Sequence, residues 1–258
     1  MSTIAVIPAR YASTRFPGKP LVKIDGVTMI ERVYRQTAMA TKIDGVLVAT
    51  DDQRIFDEVR RFGGEVIMTR DDHVSGTDRL AEVAAARPDI SIVVNVQGDE
   101  PVINPHTIDS AVAPLLADPK IQMATVAAPI HSTAEMESND VVKVVLDNNG
   151  FALYFSRHPL PFYRDGRPLT ERTHLAHVGL YVYRRDTLLR LASLPPSPLE
   201  LAECLEQLRA LENGIRIHVG VGQFRSIAVD RPADVEAVQK VLGQNSISAT
   251  AQIGTPVS

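Results

Sequence analysis

Cysteine is almost missing from this 258-residue chain, where Cys204 stands alone. One thiol cannot close an internal disulfide, which excludes a disulfide-stapled scaffold and fits a reducing cytoplasm. Tryptophan is absent and aromatic residues make up only 5%, so no stacking platform for single-stranded nucleic acid accompanies the basic residues. Neither sign of charge dominates: Lys+Arg 27 against Asp+Glu 31 leaves a formal net charge of −4, which argues against a nucleic-acid binder. Long apolar runs are missing too, and none approaches the roughly 18 residues of a membrane span. Residues 1–8 carry no basic n-region ahead of a signal-type stretch, and Ile4 to Pro8 reads as a strand. Ordinary apolar content, 45%, excludes a disordered chain. There are no internal repeats. His73, His106, His131, His158, His174 and His218 lack metal-type spacing. Neither the GxxxxGK-Ser/Thr phosphate loop nor the GxGxxG dinucleotide fingerprint occurs.

What is present is alternation. Thr3–Pro8, Gly45–Thr50, Glu65–Thr69, Ser91–Val96 and Gln122–Pro129 read as strands bounded by turn residues. Between them, Met29–Ala40, Gln53–Phe62, Thr77–Ala86 and Pro105–Leu116 carry apolar residues at helical spacing. Strand–helix–strand repetition predicts an α/β fold with a mostly parallel sheet, covered on both faces. After about Ile130 the pattern changes. Val141–Leu146 and Phe151–Ser156 flank Asp147-Asn148-Asn149-Gly150, which predicts a β-hairpin. Ser156–Leu175 reads as a proline-containing loop, His177–Tyr183 as a strand and Leu199–Leu211 as one amphipathic helix with Cys204 on its buried side. Arg216–Val221 is a further strand and Pro232–Leu242 a closing helix; 243–258 has no period and reads as a mobile tail. No linker divides the chain, so 1–242 is expected to form a single domain.

Chemistry concentrates first in the loop after the first strand, where Arg10, Arg15 and Lys19 crowd into ten residues beside Ala9 and Ser13. In an open parallel sheet, ligands bind at the C-terminal ends of strands. Small residues there admit backbone N–H groups to anions, and three long cations can neutralise several phosphate charges. The bland alternative is a solvated basic loop. A second feature, Gln97-Gly98-Asp99-Glu100-Pro101, ends the apolar strand at Val96 and would lie on the same rim. A carboxylate facing a polyphosphate needs a cation between them, so Asp99 reads as a Mg²⁺ ligand or, equally, as a turn residue. Glu100 points the other way if strand alternation continues. Asp230 ends a third short strand, either as a second metal carboxylate or as a helix N-cap, a role open also to Asp234. Arg157, His177, Tyr181, Glu206 and Gln207 complete the polar set, but spacing alone promotes none of them; Glu206 shares its helix with Glu203, Gln207 and Arg209, where a solvated face is the default.

Six long motifs carry a resemblance: IPARYASTRFPGKPL at 7–21, VATDD at 48–52, MTRDDHVSGTDRLAEV at 68–83, NVQGDEP at 95–101, VKVVLDNNGFALYFSR at 142–157 and SPLELAECLEQLRALENG at 197–214. Over roughly 3–242 the chain resembles the 3-deoxy-manno-octulosonate cytidylyltransferases, of the wider sugar nucleotidyltransferases. That resemblance implies a mixed, mostly parallel sheet with a Rossmann-like nucleotide half, about 1–130, and a sugar-acid and dimerisation half, about 131–242. It implies transfer of CMP from CTP to 3-deoxy-D-manno-octulosonate (Kdo), with release of pyrophosphate, activating the sugar for lipopolysaccharide synthesis in the cytoplasm. The same chemistry on an amino-substituted, neuraminic-type or capsule-pathway ulosonate, and a silent CTP-binding regulator, are the alternatives.

By the same resemblance, Arg10, Arg15 and Lys19 hold the triphosphate with Ser13 nearby. Ala9, Ser75, Gly76 and Arg79 surround the cytosine and ribose, with Thr50 and Asp51 close by. Gln97, Arg157, His177, Tyr181, Glu206 and Gln207 surround the sugar acid, Gln97 also neighbouring the nucleotide. Asp99 and Asp230 bind Mg²⁺ and, with Lys19 and Arg15, form the catalytic set in a homodimer that engages neither nucleic acid nor membrane. The chain departs from the family at Ala176, where arginine is usual, and around Asp230, where Arg231 adds a charge.

Overall fold

The computed structural model describes residues 2–12, 16–224 and 227–251, with side chains up to Gly243. Strand β1 (Ser2–Ala9) runs through the middle of the sheet because its residues are apolar on both faces; Ala5, Val6 and Ile7 are fully buried. After a basic loop, a single 3₁₀ turn at Lys19–Leu21 and a small hairpin, β2 (Lys23–Ile24) with β3 (Val27–Thr28), lead into α1 (Met29–Thr37). Then β4 (Gly45–Thr50), α2 (Gln53–Arg61), β5 (Glu65–Met68), α3 (Gly76–Ala86), β6 (Ile90–Asn95), α4 (Pro105–Ala117) and β7 (Met123–Pro129) alternate, as the periodicity predicts. The helix starts follow local chemistry. Asp52 accepts from the Arg54 N–H, Ser75 and Asp78 close a capping box, and Asn104 accepts from the His106 N–H ahead of Pro105.

The second half contributes α5 (Thr133–Glu137), β8 (Lys143–Leu146), β9 (Ala152–Ser156), β10 (Leu175–Arg184), α6 (Arg185–Ser193), α7 (Pro198–Glu203), α8 (Gln207–Glu212), β11 (Ile217–Val221) and α9 (Asp234–Ala251). The main sheet is ordered β11-β7-β10-β6-β1-β4-β5, with β8 and β9 attached beside β10. Pairings of β1 with β4 and β6, β4 with β5, and β11 with β7 are parallel; β10 runs antiparallel between β6 and β7. This is the mixed, mostly parallel α/β sheet expected from sequence. One face is covered by α1, α2 and α4 through Ile30, Val33, Ile55, Val59, Ile108 and Val112. The other is covered by α3, α6 and α8 through Leu80, Val83, Leu188, Leu191 and Leu208. Each such side chain contributes roughly 1.5–3 kcal/mol by leaving water. Among the described residues no helix is long and apolar enough to cross a membrane.

The β8–β9 hairpin forms where the turn sequence predicts it, with Asp147 Oδ1 accepting from the Asn149 and Phe151 N–H groups and Gly150 at φ 79. The span read as one helix over Leu199–Leu211 is instead two. It breaks at Cys204, whose φ of 53 is left-handed, and the Leu205 N–H returns to the Glu200 carbonyl to cap α7. That conformation turns the Cys204 thiol outward, so the residue is exposed and not buried as its helical spacing predicts. The closing helix continues past Leu242 to Ala251, since no proline or turn pair intervenes, and 252–258 lie outside the described residues.

Candidate active site

The C-terminal ends of β1 and β6, the start of α3 and the segment before α9 enclose a cavity of about 370 Å³, bordered by Ala9, Arg10, Lys19, Ser75, Gly76, Arg79, Gln97, Asp99 and Asp230. The sequence motifs from 7–21, 68–83 and 95–101 thus meet, although they are far apart along the chain. Gly98 makes the approach possible, because a Cβ there would sit 2.9 Å from the Pro8 carbonyl oxygen. The basic loop is closed by Gly18, at φ 70, whose N–H donates to the Tyr11 carbonyl at 3.0 Å. Tyr11 is covered in turn by the Arg54 guanidinium, 3.3 Å from its ring centroid. Ser13 and Arg15 lie outside the described residues.

At the mouth of this cavity Lys19 Nζ donates to Asp99 Oδ2 at 2.8 Å and lies 3.6 Å from Asp230 Oδ1. Two carboxylates from distant segments therefore converge on one cationic centre. The Val229 N–H donates to the Asp99 carbonyl at 2.8 Å, tying the two segments together. Asp234 opens α9, and its Oδ2 accepts from the N–H groups of Asp230 and Arg231 at 2.9 and 2.8 Å, holding the turn ahead of the helix. The Asp230 carboxylate is thereby turned toward Lys19. Glu100 is buried away from the cavity, 7% exposed, as alternation predicts. Arg231 is exposed beside the pair.

Arg79 is a buried arginine, and its guanidinium donates to Asp51 Oδ2 at 2.7 Å, to the Thr69 hydroxyl and to the Arg70 carbonyl. Asp51 thus reaches the cavity only through Arg79. Thr50 is fully buried, its hydroxyl accepting from the Asp52 N–H, and does not border the cavity.

Beyond Gln97 and Gly76 the cleft deepens into a second space of about 140 Å³, walled by Thr77, Asn95, Tyr181, Tyr183, Glu206 and Gln207. Apart from Glu206, its walls are uncharged hydroxyl, amide and aromatic groups. Burial pushes the Glu206 carboxyl above the ordinary carboxylate range and raises both tyrosine hydroxyls. Ser75 Oγ lies 3.4 Å from Glu206 Oε1, joining this space to the first. His177 borders neither space but a third cavity, beside Ala176, Val178 and Gly179, and its ring packs edge-on to Phe155 and against Tyr181, with centroids 5.1 and 5.2 Å away. That apolar enclosure pushes its basicity down to about 3, so the imidazole is neutral.

Arg157 borders neither space. Its guanidinium donates to the carbonyls of Glu203, Asn139 and Cys204 at 2.9, 2.9 and 3.3 Å. These bonds hold the break between α7 and α8, which sets Glu206 and Gln207 in place. Glu203, which helical spacing assigns to a solvated face, accepts from Ser156 Oγ at 2.6 Å and the Arg157 N–H at 3.0 Å. Burial alone would raise its carboxyl, but these bonds and the Arg157 charge hold it below the ordinary value. Asn95 opens the motif at 95–101, but the resemblance assigns it no role; its Oδ1 is buried with no hydrogen-bond partner. The one signal was an amide inside the apolar run Ile90–Val96.

The cytidylyltransferase family profile matches residues 4–217. The chain is 57% identical over 245 residues to a 3-deoxy-manno-octulosonate cytidylyltransferase of Syntrophotalea carbinolica, covering 93% of this chain and 98% of that one. It is 54% identical over 259 residues to that of Geobacter metallireducens, covering 96% and 100%. Among solved structures, CMP:2-keto-3-deoxy-manno-octonic acid synthetase complexed with CTP superposes with a TM-score of 0.90 at 43% identity, over 95% of this chain and 100% of that one. A 4-diphosphocytidyl-2C-methyl-D-erythritol synthase from Anaerococcus prevotii shares the fold alone, at a TM-score of 0.60 and 14% identity over 94% of this chain and 99% of that one. With the profile spanning most of its length and relatives this similar end to end, the chain belongs to the cytidylyltransferase family, on its 3-deoxy-manno-octulosonate branch.

Proposed function

We propose that this chain transfers CMP from CTP to the anomeric hydroxyl of Kdo, giving CMP-Kdo and pyrophosphate. The observation that carries this reading is the convergence of Lys19, Asp99 and Asp230 in a cavity that continues, past Gln97, into a pocket rich in hydroxyl and amide groups. A triphosphate belongs at the charged end and a polyhydroxylated acid at the hydroxyl- and amide-lined one. The near-full-length relatives named for this reaction support the same assignment.

The reaction is an in-line displacement at the α-phosphorus. Positioning and charge neutralisation supply most of the rate, and no covalent enzyme intermediate is required. Lys19 and Arg10 bring positive charge to the phosphates, joined in this reading by Arg15 and Ser13. The start of α3 at Ser75 and Gly76 faces the nucleotide, and Arg79, neutralised by Asp51, shapes that wall without competing for phosphate. Gln97 borders both spaces and is placed to touch both substrates. Glu206, Gln207 and Tyr181 orient the sugar acid.

The donor set at Asp99 and Asp230 fits Mg²⁺: two carboxylates already share one cation, and a hard divalent ion takes few protein oxygens beside phosphate and water. Among the described residues no group of three or more His, Cys, Asp or Glu converges, so the nucleotide would complete the shell. When bound, Mg²⁺ would lower the pKa of the attacking hydroxyl and neutralise the leaving pyrophosphate. A homodimer formed through the later half belongs to the same reading and is checked by light scattering. A cytoplasmic site of action belongs to it too, where the exposed Cys204 thiol stays reduced.

The deciding experiment is pyrophosphate release with CTP, UTP, ATP and GTP, each crossed with Kdo, amino-substituted Kdo and a neuraminic acid. Release with CTP and Kdo supports the reading. Preference for another acid moves the substrate, and CTP binding without release makes the chain a regulator.

A further inference from the structure

His177 is held from behind by a residue that no motif marks. Strands β7 and β10 pair regularly up to Val178 opposite Val126, and pairing resumes at Tyr181 opposite Thr125, so the ladder shifts across Gly179 and Leu180. A bulge of this kind frees backbone groups and re-aims side chains. Here it turns two carbonyls of β10 onto the fully buried Thr125: its Oγ1 lies 2.7 Å from the Leu180 oxygen and 3.2 Å from the Val178 oxygen. The same Oγ1 lies 2.9 Å from His177 Nε2.

Thr125 has one hydroxyl hydrogen. Directed at His177, it would leave two oxygens 2.7 Å apart with no proton between them. The hydrogen therefore goes to the Leu180 carbonyl, and the threonine oxygen accepts from Nε2–H. This network, rather than an observed proton, assigns the tautomer. Nδ1 then carries a lone pair and has no partner among the described residues, while the residue as a whole remains partly exposed.

We propose that Thr125 is a positioning residue that locks His177 as its neutral Nε2–H tautomer, so that His177 meets the sugar acid as an acceptor for a hydroxyl and not as a cation for its carboxylate. The apolar packing of the ring against Phe155 and Tyr181 works in the same direction, since it disfavours a second proton. The substrate half of this inference rests on the sugar-acid reading above; the tautomer half does not.

The test is an imidazole ¹⁵N–¹H correlation spectrum of the full ¹⁵N-labelled chain, with His177 assigned by His177→Gln. A neutral ring protonated at Nε2 between about pH 6 and 8 supports the proposal. A ring protonated at Nδ1, or at both nitrogens, overturns it without the need for any variant to fold. Steady-state kinetics supplies the functional arm. Thr125→Val, which keeps the shape and loses the hydroxyl, raises KM for the sugar acid about 10-fold, leaves KM for CTP within about 2-fold, and is rescued by Thr125→Ser. A folded Thr125→Val with an unchanged tautomer and an unchanged sugar KM overturns the positioning role. A chain that releases no pyrophosphate with any sugar acid defeats the sugar-acid reading, and the spectrum then still decides the tautomer.

Discussion

The two ends of the cleft recognise their ligands by opposite means. The phosphate end is built of charges on loops: Arg10, Lys19, Asp99 and Asp230, within reach of solvent. The sugar end is built mostly of uncharged groups on strands and short helices, Asn95, Tyr181, Tyr183 and Gln207, with one carboxyl, Glu206, whose pKa burial raises. A polyphosphate is met by net charge, which acts over several ångströms and tolerates loop geometry. A polyol is told from its relatives by the direction of each donor and acceptor, and that demands rigid supports.

Substitutions at the two ends sharpen this contrast, beginning with the largest effect. Asp99→Asn removes one of the two carboxylates at the charged end. Turnover falls by about 100-fold or more while calorimetry still detects CTP binding; near-normal turnover at saturating Mg²⁺ would remove Asp99 from the metal site. Glu203→Gln leaves every charged group at the phosphate end in place. It weakens the acceptor that holds Ser156 and Arg157 against the α7–α8 break. KM for the sugar acid rises about 10-fold and KM for CTP stays within about 2-fold. Equal changes in both constants would mean that the two ends are not separately supported.

Stability offers a control away from both ends. Asp109 is buried on α4 and accepts from the Thr41 and Lys42 N–H groups and the Thr41 hydroxyl, at 2.7 to 3.2 Å as hydrogen bonds of this kind run, the individual contacts being 2.8, 3.1, 2.8 and 2.8 Å. Burial opposes its charge, but these bonds outweigh burial and lower its pKa. Its contribution is therefore present above the unfolded value and is lost as pH falls through the folded one. Asp109→Asn costs about 1–3 kcal/mol at neutral pH, and the gap in Tm from wild type narrows on acidification. Glu206 has the opposite sign. Its raised pKa stabilises below the unfolded value, and that contribution is lost as pH rises through the folded one, so Glu206→Gln gains Tm relative to wild type toward alkaline pH. A gap that is flat with pH in thermal melts would refute the sign. The smallest effect is expected at Arg231, an exposed side chain whose hydrogen bonds to Asp234 are made by its backbone N–H and carbonyl; Arg231→Thr changes kcat/KM by less than about 2-fold.

Much of the phosphate end was legible because it is local. Arg10 follows β1 directly, Asp99 lies in the short loop after β6 and Lys19 ends the basic loop between them in sequence, and strand ends of a parallel sheet share a rim. The roles of Asp230 and Asp234 were not legible, since either can cap a helix; the structure sets Asp230 beside Lys19 and has Asp234 hold the turn before α9 through two N–H groups. Glu203 and Cys204 misled for one reason. Helical spacing describes a face only while the helix continues, and a tertiary grip on Glu203 from β9 accompanies its end there. Thr125 and Asn95 carried almost no signal, because a polar residue inside a strand is interpretable only when its neighbours across the sheet are known.

Sequence by itself determined the α/β alternation, the hairpin at Asp147–Gly150 and the charged motifs of the rim. All of these depend on residues close together in the chain. Tertiary structure alone decided that Lys19 lies between Asp99 and Asp230, that Arg157 supports the pocket from outside it, and that His177 leans on Thr125 across a bulge. Those arrangements rest on hydrogen bonds of fixed direction between segments tens of residues apart, and only the closed sheet brings such donors and acceptors within 3 Å.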